Sequence, residues 1–224
     1  MKVKIARGGW PWILGPLGMA GGLGLVADRA GWCAVSCAVI AGGCILCLFM
    51  IYFFRDPERE SPSGDNLVVA GADGVVRTVE EMPEPTYLKT DAVRISIFLN
   101  PFNVHVNRSP LAGNVTRLGY TPGKHLLTIQ NAASEYNEHS SILIEGEQTR
   151  CLVKQIVGPL VRRVVYWLQE GQTLAKGERI GMMKFGSRLD MYFPRDAVDV
   201  KVVRGDNVQA GITVVATVRK DFRE

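Results

Sequence analysis

The chain has 224 residues, 47% of them hydrophobic and 21% charged, with five cysteines. That apolar content excludes a disordered tail, so few cysteines exclude a disulfide-stapled miniprotein, and the length admits one or two domains. The net charge of +4 is unevenly placed: residues 1–54 carry Lys2, Lys4, Arg7 and Arg29 against Asp28, a net of +3, which leaves the rest nearly neutral at +1 and argues against nucleic acid as a partner.

Residues 8–27 carry no charge but hold seven glycines and two prolines, so their helix propensity is poor. This is the weaker of two apolar segments and a candidate for a broken or re-entrant span. Residues 31–54 are also uncharged, and about 36 Å of helix is enough to cross a bilayer core. Only Asp28-Arg29-Ala30 separates the two segments, so a transmembrane helical hairpin is expected. Lys2, Lys4 and Arg7 precede the pair and Arg55 and Arg59 follow it, which puts both ends on the cytoplasmic side of the plasma membrane. A signal peptide is the competing reading of residues 8–27; the second segment would then act as a stop-transfer and the bulk of the chain would still be cytoplasmic. Cys33, Cys37, Cys44 and Cys47 share one face of the stronger segment, where thiols usually serve as small hydrophobes, and Cys151 stands alone beyond it.

Residues 55–66 are polar and rich in turn formers, a linker into a second domain over 67–224. From residue 67 onward, short runs rich in Val, Ile, Tyr and Phe alternate with Gly, Pro, Asn and Asp. Strands are predicted over 75–79, 93–99, 115–120, 141–145, 152–157, 160–167, 179–183, 189–193, 198–203 and 212–218. Long amphipathic helices are scarce, so the fold class is mostly β, an antiparallel barrel or sandwich. Gly171 and Gly177 mark two turns six residues apart, each ahead of an apolar strand start, and this half resembles a biotinyl/lipoyl hammerhead.

Chemistry-bearing residues are few. His105 follows a predicted strand in Asn103-Val104-His105-Val106-Asn107-Arg108, with its ring on the face opposite Val104 and Val106. His125 and His139 read as loop residues. Asp73 lies in an Asp-Gly turn before a strand, and Ser187 in the loop dipeptide Gly186-Ser187. Singly, each has an ordinary structural explanation.

Together they resemble the phosphatidylserine decarboxylase family, in its short membrane-anchored form. The resemblance runs through Phe53-Phe54-Arg55-Asp56-Pro57, Ala72-Asp73-Gly74, Asn103 to Arg108, Asn137-Glu138 and above all Phe185-Gly186-Ser187-Arg188. It implies a zymogen that cuts itself between Gly186 and Ser187 into a β chain of residues 1–186 and an α chain of residues 187–224. Ser187 would become a pyruvoyl cofactor, Asp73 would orient His105, and His105 would take the Ser187 proton and later protonate the product carbon. The pyruvoyl carbonyl supplies the electron sink for loss of the substrate carboxylate. Substrate and product would be phosphatidylserine and phosphatidylethanolamine, and the membrane lipid would be met in two dimensions. Arg162 and Arg163 are candidates for lipid phosphate, although a solvated basic pair on a strand is the commoner case. No metal is implied, and a homo-oligomer is left open.

Two rivals stand beside this reading. Met182-Met183-Lys184 resembles the modified hairpin of a biotinyl or lipoyl carrier, which would make Lys184 a swinging arm, although Phe185-Gly186-Ser187 follows in place of the usual Met. A serine hydrolase using Asp73, His105 and Ser187 would need a Gly-x-Ser-x-Gly elbow, and none is present.

Overall fold

The computed structural model describes residues 3–128, 130, 133–159, 164–184 and 187–219. The chain divides into two units, Met1–Glu58 and Arg59–Glu224.

In the first unit, β1 (Val3–Ile5) leads into α1 (Trp10–Arg29), α2 (Cys33–Phe53) and β2 (Arg55–Pro57). Both helices are long and apolar enough to cross a membrane. The glycine-rich segment is one continuous helix, not a broken one. Pro11 sits in the first turn, where its missing N–H has no intrahelical partner to lose, and Pro16 is carried inside. Packing against α2 overrides the poor propensity. A Cβ on Gly24 would strike Ile40 and one on Gly43 would strike Ala20, so these glycines let the two backbones approach. The Ser36 hydroxyl donates to the Gly24 carbonyl at 2.8 Å across the same seam. Leu14, Leu17, Leu23, Ile45 and Leu48 point outward and are exposed, as a lipid-facing surface requires. The linker read from residue 55 begins instead as β2, because β1 supplies an antiparallel partner, Ile5 opposite Arg55 and Val3 opposite Pro57. Both ends of the hairpin therefore emerge on the same side.

Among the described residues the second unit has, besides its strands, one turn of helix and a short 3-10 segment. Its elements are β3 (Leu67–Val69), β4 (Gly74–Glu84), β5 (Thr90–Leu99), β6 (Val106–Arg108), β7 (Gly113–Thr121), α3 (Ala133–Tyr136), β8 (His139–Glu145) and β9 (Arg150–Ile156). Then come β10 (Val164–Tyr166), β11 (Thr173–Leu174), β12 (Arg179–Met183), β13 (Ser187–Pro194), β14 (Val198–Val200), β15 (Asn207–Val208) and β16 (Val214–Val218). Eight strands form a curled antiparallel half-barrel in the order β11-β7-β8-β9-β13-β5-β4-β15, with two three-stranded sheets, β10-β12-β6 and β14-β16-β3. The predicted strands recur with shifted ends, and residues 160–163 of one of them lie outside the described residues.

Alternation along the central strands sorts the two faces of the large sheet. Ile95, Ile97, Leu99, Val153, Leu189, Met191 and Phe193 enter the main core. The opposite face carries Arg94, Ser96, Lys154, Arg188, Asp190 and Tyr192, and every residue of β13 is buried. β13 keeps its polar–apolar alternation although both faces are covered, so its polar residues are buried rather than solvated.

Candidate active site

Ser187 opens β13 opposite Leu99, the last residue of β5. It is fully buried, and its hydroxyl has no hydrogen-bond partner among the described residues. A buried hydroxyl left unsatisfied costs about 1–3 kcal/mol, a cost tolerated more readily where the oxygen reacts than where it only packs.

His105 reaches the same end of the sheet by another route. The chain leaves β5 at Leu99, turns through residues 100–103, and enters β6, which pairs with β12. The amide of Met183 donates to the His105 carbonyl at 3.2 Å, so the ladder that ends β12 brackets His105 shortly before the chain reaches Ser187. The ring is fully buried, with Nδ1 at 2.9 Å from the Asn103 carbonyl oxygen. A carbonyl can only accept, so Nδ1 carries the proton and Nε2 is the basic nitrogen of the neutral ring.

Asp73 arrives through β4. Val75 pairs with Phe98, and a Cβ on Gly74 would collide with the Phe98 carbonyl, so only glycine permits this approach next to Asp73. The Asp73 carboxylate is gripped by Arg59, at 2.5 Å from Nη1 and 2.8 Å from Nη2, and accepts the Ala210 amide at 2.8 Å. This departs from the expected Asp73–His105 hydrogen bond: among the described contacts the Asn103 carbonyl orients the imidazole, and the Asp73 oxygens are taken up by a guanidinium fork. Gly186, the other half of the expected cut, lies outside the described residues, as do Arg162 and Arg163.

Beneath Ser187, the next residue is anchored on the polar face. Arg188 donates from Nε to Asp190 at 2.8 Å and from Nη2 to Ser96 at 2.6 Å, while Ser134 of α3 donates to the second Asp190 oxygen at 2.6 Å. Burial holds the Lys154 ammonium below the ordinary lysine range, with Glu84 and Asp190 opposing that shift. His139, read as a loop residue, is instead the first residue of β8, in cross-strand line with Ile156 and Arg188; its Nδ1 lies 2.8 Å from the Asn137 carbonyl, and burial pushes its pKa down. His125 pairs with Glu138 at 3.1 Å.

Arg59, Asn103, Asn107 and Gln155 received no site role in the sequence reading. Asn107 had a legible signal, since it lies two residues beyond His105 and period-two alternation puts both on one face. Lys184 is half-buried at the end of β12, whereas a swinging arm must stand clear of the fold.

The family model of phosphatidylserine decarboxylase matches residues 46–216 of this chain. A phosphatidylserine decarboxylase proenzyme of Symbiobacterium thermophilum is 43% identical over 212 residues, 94% of each chain. One from Carboxydothermus hydrogenoformans is 43% identical over 175 residues, covering 78% of this chain and 82% of the relative. A third, from Desulfotalea psychrophila, is 38% identical over 220 residues, 97% of this chain and 98% of the relative.

Proposed function

Since this chain belongs to the phosphatidylserine decarboxylase family, we propose that it decarboxylates phosphatidylserine to phosphatidylethanolamine with a pyruvoyl group made from its own Ser187. It is a carboxy-lyase, and it is made as a proenzyme. The observation that carries the site assignment is the buried, unpartnered Ser187 hydroxyl at the same sheet end as His105.

In the processing step, His105 Nε2 takes the Ser187 proton as Oγ adds to the Gly186 carbonyl carbon. The peptide C–N bond breaks, the serine nitrogen gains a proton, and an ester links the two halves. Loss of the Ser187 α-proton then expels the Gly186 carboxylate, and one water converts the remaining enamine to a ketone with release of ammonia. Bonds and protons balance with one water consumed. The burial of Ser187 fits the product, whose ketone has one oxygen and no proton to satisfy. Once formed, the pyruvoyl group supplies the electron sink for decarboxylation. His105, held by Asn103, is the donor that protonates the product carbon. Asp73 acts as a positioning residue, fixing the rim of the site through Arg59 and Ala210.

The catalytic unit works at the cytoplasmic face of the plasma membrane, anchored by a hairpin whose basic flanks set its orientation. The surface around the site supports an apposed bilayer: Phe102, Tyr120, Leu127 and Tyr136, all more than half exposed, gather at the sheet end that carries Ser187. The two glycine turns that flank β11 and β12 make this stretch hammerhead-like, without the carrier chemistry.

Intact mass of the purified protein tests the assignment. Two chains are expected, residues 1–186 and 187–224, the smaller blocked to N-terminal sequencing. A single 24.6 kDa species that also decarboxylates, or a biotin- or lipoyl-sized adduct on Lys184, overturns it.

A further inference from the structure

Asn107 is fully buried on β6, opposite Gly181 of β12. Its Oδ1 accepts a hydrogen bond from Gln155 Nε2 at 2.7 Å, and Gln155 Oε1 accepts one from the Ser140 hydroxyl at 2.8 Å. All three residues are inaccessible to solvent. The chain of bonds has a direction. A Ser140 proton spent on Oε1 turns the Gln155 amide group toward Asn107, which in turn fixes the Asn107 carbonyl toward Gln155 and its amide nitrogen away. That Nδ2 has no partner among the described residues.

The register says where the free donor lies. Gln155 stands opposite Leu189, so its side chain is on the face of the large sheet that carries Leu189 and, one pleat repeat away, Ser187. Asn107 spans from β6 to that face, and His105, two residues earlier in extended chain, points to the same side. The Ser187 hydroxyl, the His105 ring and a preoriented N–H donor are thus all buried and turned to the same face of the large sheet.

We propose that Asn107 is a catalytic residue of self-processing: its Nδ2–H donates to the oxyanion that forms when Ser187 Oγ adds to the preceding carbonyl. Gln155, backed by Ser140, is the positioning residue that keeps this donor turned inward. The assignment rests on the reading of Ser187 as the cleavage nucleophile. As Oγ bonds to the carbonyl carbon, the π pair moves onto oxygen, where the donor stabilises it. Collapse restores the carbonyl and expels the serine nitrogen, which takes the proton held by His105. A donor set in advance costs no reorganisation, and removing one such donor typically slows acyl transfer about 10²-fold or more.

The test follows conversion of freshly made full-length precursor, in detergent, for the wild type, Asn107→Asp, Gln155→Glu and Ser187→Ala. Asn107→Asp keeps the acceptor for Gln155 and loses only the donor. Gln155→Glu offers an acceptor in place of a donor and so turns the Asn107 amide away from Ser187. Both are expected to process about 10²-fold more slowly than wild type. Hydroxylamine, which cleaves the ester intermediate, is expected to release the 187–224 chain from either at a rate lowered by the same factor, a readout that a purely packing role would not move. Unfolding midpoints identify any variant that fails to fold, and the other variant then decides. Wild-type processing rates in a folded variant, or hydroxylamine release at the wild-type rate, overturn the role of Asn107 alone. A wild-type chain that stays whole, or Ser187→Ala that is cut, overturns the reading of Ser187 and this proposal with it.

Discussion

Arg188 and Asp190 form an ion pair at 2.8 Å in which neither side chain is exposed, and it lies one residue from the hydroxyl assigned to self-cleavage. A buried pair of this kind adds little net stability, since desolvation offsets much of the attraction, but removing one partner strands the other. Asp190→Asn or Arg188→Ala should cost about 3–5 kcal/mol in denaturant unfolding. Processing should fall in step, because the start of β13 loses its anchor. Arg188→Met combined with Asp190→Leu should recover much of the stability; a double variant no better than the singles would count against this account.

Asp73 and Arg59 offer a second separation of roles. Arg59→Met leaves the Asp73 carboxylate buried with only the Ala210 amide, and Asp73→Asn leaves the guanidinium without its charge partner. Each should slow processing while leaving Ser187 cleavable. Positioning through Arg59 predicts that the double variant is no worse than Asp73→Asn alone; a direct catalytic carboxylate at His105 predicts that Arg59→Met processes normally.

A pH dependence follows from His139. Burial holds its imidazole below the ordinary value of 6.5, so the unfolded chain takes up the proton first as pH falls. The stability contributed by the neutral ring is complete above about pH 6.5 and is lost as pH drops through the lower native pKa. Urea midpoints should therefore decline from about pH 7 to pH 5, and His139→Gln should flatten that decline. An unchanged slope in the variant would assign the acid sensitivity to other groups.

The apolar rim predicts a substrate-dependent defect. Phe102→Asp with Leu127→Asp should lower decarboxylation of long-chain phosphatidylserine in vesicles roughly tenfold, by analogy with about 1–3 kcal/mol lost per buried apolar contact. Turnover of a soluble short-chain phosphatidylserine and the extent of self-cleavage should stay near wild type. Equal loss on both substrates would place these residues in the site itself.

The helical hairpin and most central strands were legible because each announces itself locally, by an uncharged run of membrane length or by β-branched runs between turn formers. Ser187, His105 and Asp73 were proposed from motif context, since no spacing connects residues that lie at the starts of β13, β6 and β4. What stayed hidden depends on cross-strand register. Gln155 sits 48 positions from Asn107 and Arg59 sits 14 from Asp73, and no local pattern marks either pair. The continuous α1 was missed for a different reason: glycines that weaken an isolated helix strengthen a packed one where Gly24 and Gly43 meet their neighbours.

β13 has a consequence for what a cut chain can do afterwards. It lies between β5 and β9 in the large sheet, and downstream of it β15 and β16 join β4 and β3 in two different sheets. A fragment produced by the proposed cleavage before Ser187 would thus be stitched through the fold it leaves, and the contact between the two chains would be the hydrophobic core itself. Such a heterodimer has no assembly step and no dissociation constant apart from the stability of the fold. Dilution will not separate the chains, free small chain will not exchange in, and only denaturation parts them. Each active site is for life paired with the polypeptide that made it.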